Sequence, residues 1–193
     1  MIFGFSKSEG RAVTIILASL VIISSLNLVV SLRRSRDVQR KADVRLIINL
    51  VEGYQKEFGF LPLSKDGKPY VKTGELFDNV AVYEVCQWGY ECLPDLGEQS
   101  SPAYLGRLPV DPDNSDGVGY YMISNGRRVQ VYAALEGHDE YGYDPKIIAR
   151  NLACGNKICN YGIATNETPV DQSLEDYEEE IRLKDLKEKG LLP

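Results

Sequence analysis

From Ala12 to Leu32 the chain runs for 21 residues without a charged side chain. At about 1.5 Å rise per residue, a helix of that length spans the roughly 30 Å hydrocarbon layer of a bilayer, so the run predicts a transmembrane helix. A cleaved secretory signal is the other reading, but its apolar core is usually about 7–15 residues and ends at a small-residue cleavage site. Here the run ends in Leu32-Arg33-Arg34-Ser35-Arg36. Beyond it the apolar positions Val38, Ala42, Leu46, Ile47, Leu50, Val51, Tyr54 and Phe58 recur at three- and four-residue steps with charges between them, the mark of an amphipathic helix. No Gly or Pro interrupts residues 12–52, Gly53 sits inside the pattern, and Gly59 followed by Pro62 stops it. The pattern predicts one helix of about 45 residues, or roughly 70 Å, half of it in lipid and half lying on a small domain.

After Phe60 the period shortens to that of strands. Asn79 to Cys86 is rich in β-branched and aromatic residues, and Val118 to Ser124 with Arg128 to Leu135 flank Asn125-Gly126, a hairpin signal. These segments predict a small antiparallel sheet. Thr165 to Pro169 reads as a breaker-rich linker, after which Ser173 caps a predicted helix from Leu174 to Lys189, with Leu174, Tyr177, Ile181 and Leu186 on one face. Docking of this acidic tail on the head and a solvated tail are both open readings.

Charge changes the picture in two places. Residues 1–45 hold eight basic groups against Glu9, Asp37 and Asp43, whereas residues 171–193 hold four basic and eight acidic groups. With a net charge of -6 over 193 residues, no basic field exists to hold a nucleic-acid backbone, and nucleic acid is excluded as a partner. Lys and Arg near the span are heavier on its C-terminal side, which on counting alone places that side in the cytoplasm. The cysteines argue the opposite. Cys86 with Cys92 and Cys154 with Cys159 are close pairs in a loop-rich region, as expected of disulfides in an oxidising compartment. Four cysteines permit three pairings, of which the local pairs are favoured; a four-thiolate zinc site is the rival, its spacing met only by the second pair.

Catalytic chemistry finds little support. The single histidine, His138, rules out sites needing two imidazoles, and no nucleophile motif accompanies it, so no catalytic residue is assigned and the chain is read as a non-enzyme. Asp111, Asp113 and Asp116 concentrate hard oxygen ligands in one turn, as calcium requires. The spacing is not that of an EF-hand, and a solvated acidic turn is the plainer reading.

Several stretches together resemble the type IV pilin-like proteins, particularly the major pseudopilins of type II secretion systems. They are the basic stretch Arg36 to Arg45, then Leu50, Tyr54 and Phe58-Gly59-Phe60-Leu61-Pro62; further on come Leu108-Pro109-Val110-Asp111-Pro112, Tyr120-Tyr121 and Val131 to Glu136. Over roughly residues 4–140 this resemblance implies a pilin-like α+β fold, a long N-terminal transmembrane helix packed on a small antiparallel β-sheet head. It implies a processing site between Gly4 and Phe5 and an assembly glutamate at Glu9, which would pair with a neighbour's new amino terminus in a filament. Ser6, Lys7 and Ser8 stand where the family has apolar residues, which leaves an uncleaved signal anchor as the alternative. Calcium is the one candidate cofactor the resemblance raises, with Glu136, Asp139, Glu140 and Asp144 as a second set of ligands.

The expected organisation is therefore a short leader (1–11), the transmembrane half-helix (12–32), its amphipathic half (33–58), an extracytoplasmic head (59–164) and an acidic helical tail (165–193). The expected function is that of a structural subunit of a type IV pilus or type II secretion pseudopilus, held in the bacterial inner membrane with its head outside and found also as an extracellular filament. Its partners would be the membrane, copies of itself, a prepilin peptidase and inner-membrane assembly proteins. A non-polymerising, single-pass anchored binding domain is the alternative.

Overall fold

The computed structural model describes residues 7–77, 80–92 and 105–191, with the side chains of positions 7, 26, 57, 58, 72–82, 91, 92, 105 and 106 outside that description. It has an α+β layout. One helix, α1 (Lys7–Phe58, 52 residues), carries both halves of the predicted rod without a break and is about 78 Å long. Gly59 ends it at φ +80°, its N–H donating to the Gln55 carbonyl at 2.8 Å, a left-handed C-cap that glycine adopts without a Cβ penalty.

Among the described residues ten strands follow: β1 (Leu63–Lys65), β2 (Lys68–Phe77), β3 (Val80–Val85), β4 (Glu91–Cys92), β5 (Leu105–Arg107), β6 (Tyr121–Ser124), β7 (Val129–Ala133), β8 (Ala153–Cys154), β9 (Lys157–Ile158) and β10 (Tyr161–Ala164). They form antiparallel sheets ordered β1-β2-β3 and β10-β7-β6, with β4-β5 and β8-β9 as two-stranded pairs. Two further α-helices, α2 (Pro145–Ala149) and α3 (Leu174–Glu188), stand among the described residues.

The head is built around β7, whose five residues are all buried. On one face Val129, Val131 and Ala133 meet Val44, Ile47, Ile48 and Val51 of α1; on the other, Tyr132 and Ala134 pack with Ile147 and the sulfurs of Cys154 and Cys159. Each fully buried aliphatic side chain is worth about 1.5–3 kcal/mol against exposure, so the α1 stripe is the main weld between rod and head.

The predicted hairpin forms with a longer turn than Asn-Gly suggests. Ser124 pairs with Val129, so the loop is four residues. The Asn125 side chain closes it by accepting from the Arg127 and Arg128 N–H groups at 3.0 and 2.9 Å. The two-residue turn lies instead at Asp66-Gly67, where both residues have positive φ and Lys65 pairs with Lys68, as a type I′ hairpin requires.

The segment read as a linker is tied down. Thr165 exchanges hydrogen bonds with Val129, and the buried Gln130 amide donates to the Pro169 and Gln172 carbonyls. Ser173 caps α3 by accepting from the Asp176 N–H, and Leu174 is buried. Only the first turns of α3 dock, through Glu178 to Asn125 and Tyr177 beneath the Arg128 guanidinium at 5.0 Å; most of the helix beyond is exposed.

Candidate functional site

Two features of α1 stand apart from ordinary globular packing. The first is its outer half. Ile15, Val21 and Val29 are each about two-thirds exposed (66, 68 and 66%), and α1 is long and apolar enough to cross a membrane. An apolar surface of this size needs lipid or another apolar surface against it. Thr14, Ser19 and Ser25 donate to carbonyls three or four residues earlier on the same helix, so their hydroxyls are satisfied in an apolar setting without a partner. Glu9 lies in the first turn, where a carboxylate complements the positive end of the helix dipole. Gly4 and Phe5, the expected processing site, lie outside the described residues.

The second feature is a charged collar where the rod enters the head. Asp37 and Arg40 are fully buried, and Asp111 is nearly so. Arg40 uses all five of its N–H donors. Nε and Nη2 grip Asp111 at 2.8 and 3.1 Å; Nη1 donates to Asp37 at 3.0 Å and to Glu136 at 2.8 Å; the second Nη2 hydrogen reaches Asp113 at 2.7 Å. Arg36 holds Glu136 by two bonds of 2.7 and 2.6 Å and lies 3.3 Å from Asp113. Asp37 also accepts from the Glu136 and Gly137 N–H groups, both at 2.9 Å, and Asp111 from the Asp113 N–H at 2.8 Å. These three backbone donors compensate for the two carboxylates in excess over the two guanidinium groups. Around this centre Lys41 pairs with Glu140 at 2.6 Å and Arg33 with Asp139 at 2.9 Å.

The electrostatics follow from the geometry. The hydrogen bond from Arg36, opposed by burial and joined by Arg40, holds the Glu136 carboxyl down to about 2. Arg36 is raised by the same bond. Burial lowers Arg40, yet its hydrogen bonds to Asp111 and Glu136 outweigh that and raise it. Next to the collar Tyr120 donates to Asp43 at 2.6 Å; burial raises both groups, with the Tyr120 bond pulling Asp43 the other way.

This arrangement bears directly on the expected calcium ligands. Asp111 and Asp113 are turned onto Arg40, which occupies the centre a metal would need. Asp116 sits in a single exposed 3-10 turn, its carbonyl accepting from the Asn156 amide. In the second set, Glu136, Asp139 and Glu140 belong to the collar, and Asp144 caps α2 by accepting from the Lys146 N–H at 2.9 Å. Among the described residues no group of three His, Cys, Asp or Glu side chains is placed to hold a metal. His138 stacks on Tyr143 at 4.9 Å at the exposed edge of the same loop.

Cys154 and Cys159 form a buried disulfide that closes the β8–β9 loop. Cys86 is also disulfide-bonded; the side chain of its expected partner, Cys92, lies outside the described residues. Sequence reasoning missed the hub, Arg40 with Asp37. Its signal was present as an Asp inside the basic stretch at a three-residue step, but the acids that answer Arg40 from the head lie 71–96 residues away.

No family model, curated protein or solved structure matches this chain.

Proposed function

We propose that this chain is a pilin-like structural subunit, anchored in the bacterial inner membrane by residues 12–32, with its disulfide-bonded head outside. Its apolar half-helix leaves lipid by packing against copies of itself in a filament, either a type IV pilus or a type II secretion pseudopilus. It catalyses no reaction. A prepilin peptidase acting between Gly4 and Phe5 and inner-membrane assembly proteins are its partners. The observation that carries this reading is that one unbroken helix is welded to the head by its second half and leaves its first half, uncharged and predominantly apolar from Ala12 to Leu32, uncovered. A membrane anchor needs only the uncovered half; a rigid continuation into the head adds a means of setting each head at a fixed place relative to its neighbour's helix.

The collar supports the orientation. Four of the cations that would hold the C-terminal side in the cytoplasm, Arg33, Arg36, Arg40 and Lys41, are paired with head carboxylates in the folded protein, and the buried Cys154–Cys159 disulfide in the same head calls for an oxidising compartment.

Chemical crosslinking of the full chain in its native membrane, with mass spectrometry of its N-terminus, tests the proposal. A ladder of oligomers, weakened by Glu9→Ala, and an N-terminal residue of Phe5 are expected. A protein that stays monomeric at all densities is instead the anchored, non-polymerising domain.

A further inference from the structure

A groove of about 380 Å³ lies on the head between the Asp66-Gly67 turn, the chain after β3 and the β8–β9 hairpin, within the roughly 300–1,000 Å³ range of ligand sites. It uses none of α1's apolar half. Three aromatic residues line it, Trp88, Tyr121 and the buried Tyr120, and the first two are held in place. Trp88 stands edge-on to the buried Tyr120, with ring centroids at 5.8 Å. Tyr121 lies across Gly67 so closely that a Cβ there would come within 2.3 Å of the ring. Around the rings, Asp66, Gln87 and Asn114 present exposed carboxylate and amide groups, and Lys68 donates to the Gln87 carbonyl oxygen at 2.6 Å, which orients the Gln87 amide and leaves two ammonium hydrogens.

Part of the backbone at and beside the groove is already used. Gly119 N–H donates to the Cys154 carbonyl, Met122 to Gly67, Gly89 to Leu108 and Cys86 to Pro69. The Gly119 N–H on the lining is thereby closed to an extended peptide, which binds by adding backbone hydrogen bonds to a free strand edge. One lysine beside one aspartate gives no cationic field for a phosphate. What remains is a rigid aromatic floor with a rim of planar polar side chains. That chemistry matches a sugar ring, whose C–H face lies on an aromatic plane while its hydroxyls bond carboxylate and amide groups.

We propose that this groove binds a neutral saccharide chain, with Trp88 and Tyr121 as stacking surfaces and Asp66, Gln87 and Asn114 as hydroxyl partners. The site is independent of the filament reading, and either can fail alone. Trp88 is the single tryptophan of the chain, so its emission reports occupancy directly. The test is titration of the detergent-solubilised full chain with tetraacetylchitotetraose and, separately, maltotetraose. A saturable change in Trp88 emission with at least one of them is expected. Gly119, where a Cβ meets nothing within 4 Å and φ is ordinary, accepts Gly119→Leu without strain and would fill the groove, abolishing the response. Asp66→Asn keeps the left-handed turn, which Asn tolerates, and weakens binding about tenfold, the loss of one charge-assisted hydrogen bond. No saturable response to either sugar, or an equal response in a folded Gly119→Leu protein, overturns the proposal.

Discussion

Arg40 shows how a single side chain can organise a surface that the sequence presents as two unrelated charge clusters. With all five donors satisfied inside the protein, its loss strands Asp37 and Asp111 in a buried place. Arg40→Ala is therefore expected to destabilise the head by about 3–5 kcal/mol, measured by denaturant unfolding of the solubilised chain. Arg40→Lys should rescue little, because an ammonium has three donors and no planar fork. The collar also gives the stability a pH dependence. Glu136 sits at about 2 in the folded protein against 4.5 ordinarily, so its contribution is complete above pH 4.5 and drains away as the pH falls toward 2. Thermal unfolding across that window should show a falling midpoint, and Glu136→Gln should flatten the dependence while lowering the plateau at neutral pH. An unchanged slope in the variant would remove Glu136 as its source.

At the scale of elements, the strongest periodic signal gave the most faithful reading. α1 appears as one helix, ending where Gly59 and Pro62 stop the pattern, because an apolar stripe at three- and four-residue steps has only one way to bury itself. The hairpin at Asn125 was legible in its strands but not in its turn, since side-chain capping by Asn125 competes with the tight two-residue form. Asp66-Gly67 is the tight turn, and Gly67→Ala should cost at least about 2 kcal/mol through left-handed strain and collision with Tyr121, lowering the thermal midpoint. The tail divides: Tyr177→Ala should lower stability by about 1 kcal/mol or less, because only the first turns of α3 touch the head.

For the whole molecule, the governing fact is a division of labour along one rod. Its second half shares a core with the head and its first half shares nothing with it. Val21→Lys, at a position 68% exposed, should leave the head's unfolding midpoint unchanged while costing about 2.5–3.5 kcal/mol of insertion at the bilayer centre. Membrane fractionation should show the loss, and crosslinked oligomers should vanish with it. A variant that still inserts but no longer crosslinks would separate anchoring from assembly.

What the sequence determined by itself was everything written in local order: the span, the helical stripe, where the rod stops, the strand-rich head and the Ser173 cap. Each depends on neighbours three or four residues apart, or on the conformational limits of Gly and Pro. The tertiary structure alone decided which charges answer which. The acidic turn at Asp111 to Asp116 reads, in local order, as a place for a cation, and the fold supplies Arg40 to Asp111 and Asp113 from a helix 71 and 73 residues earlier. Coulomb pairing depends on distance in space, which no local period encodes, so the collar and the aromatic groove became visible only once β7 had brought rod, turn and hairpin together.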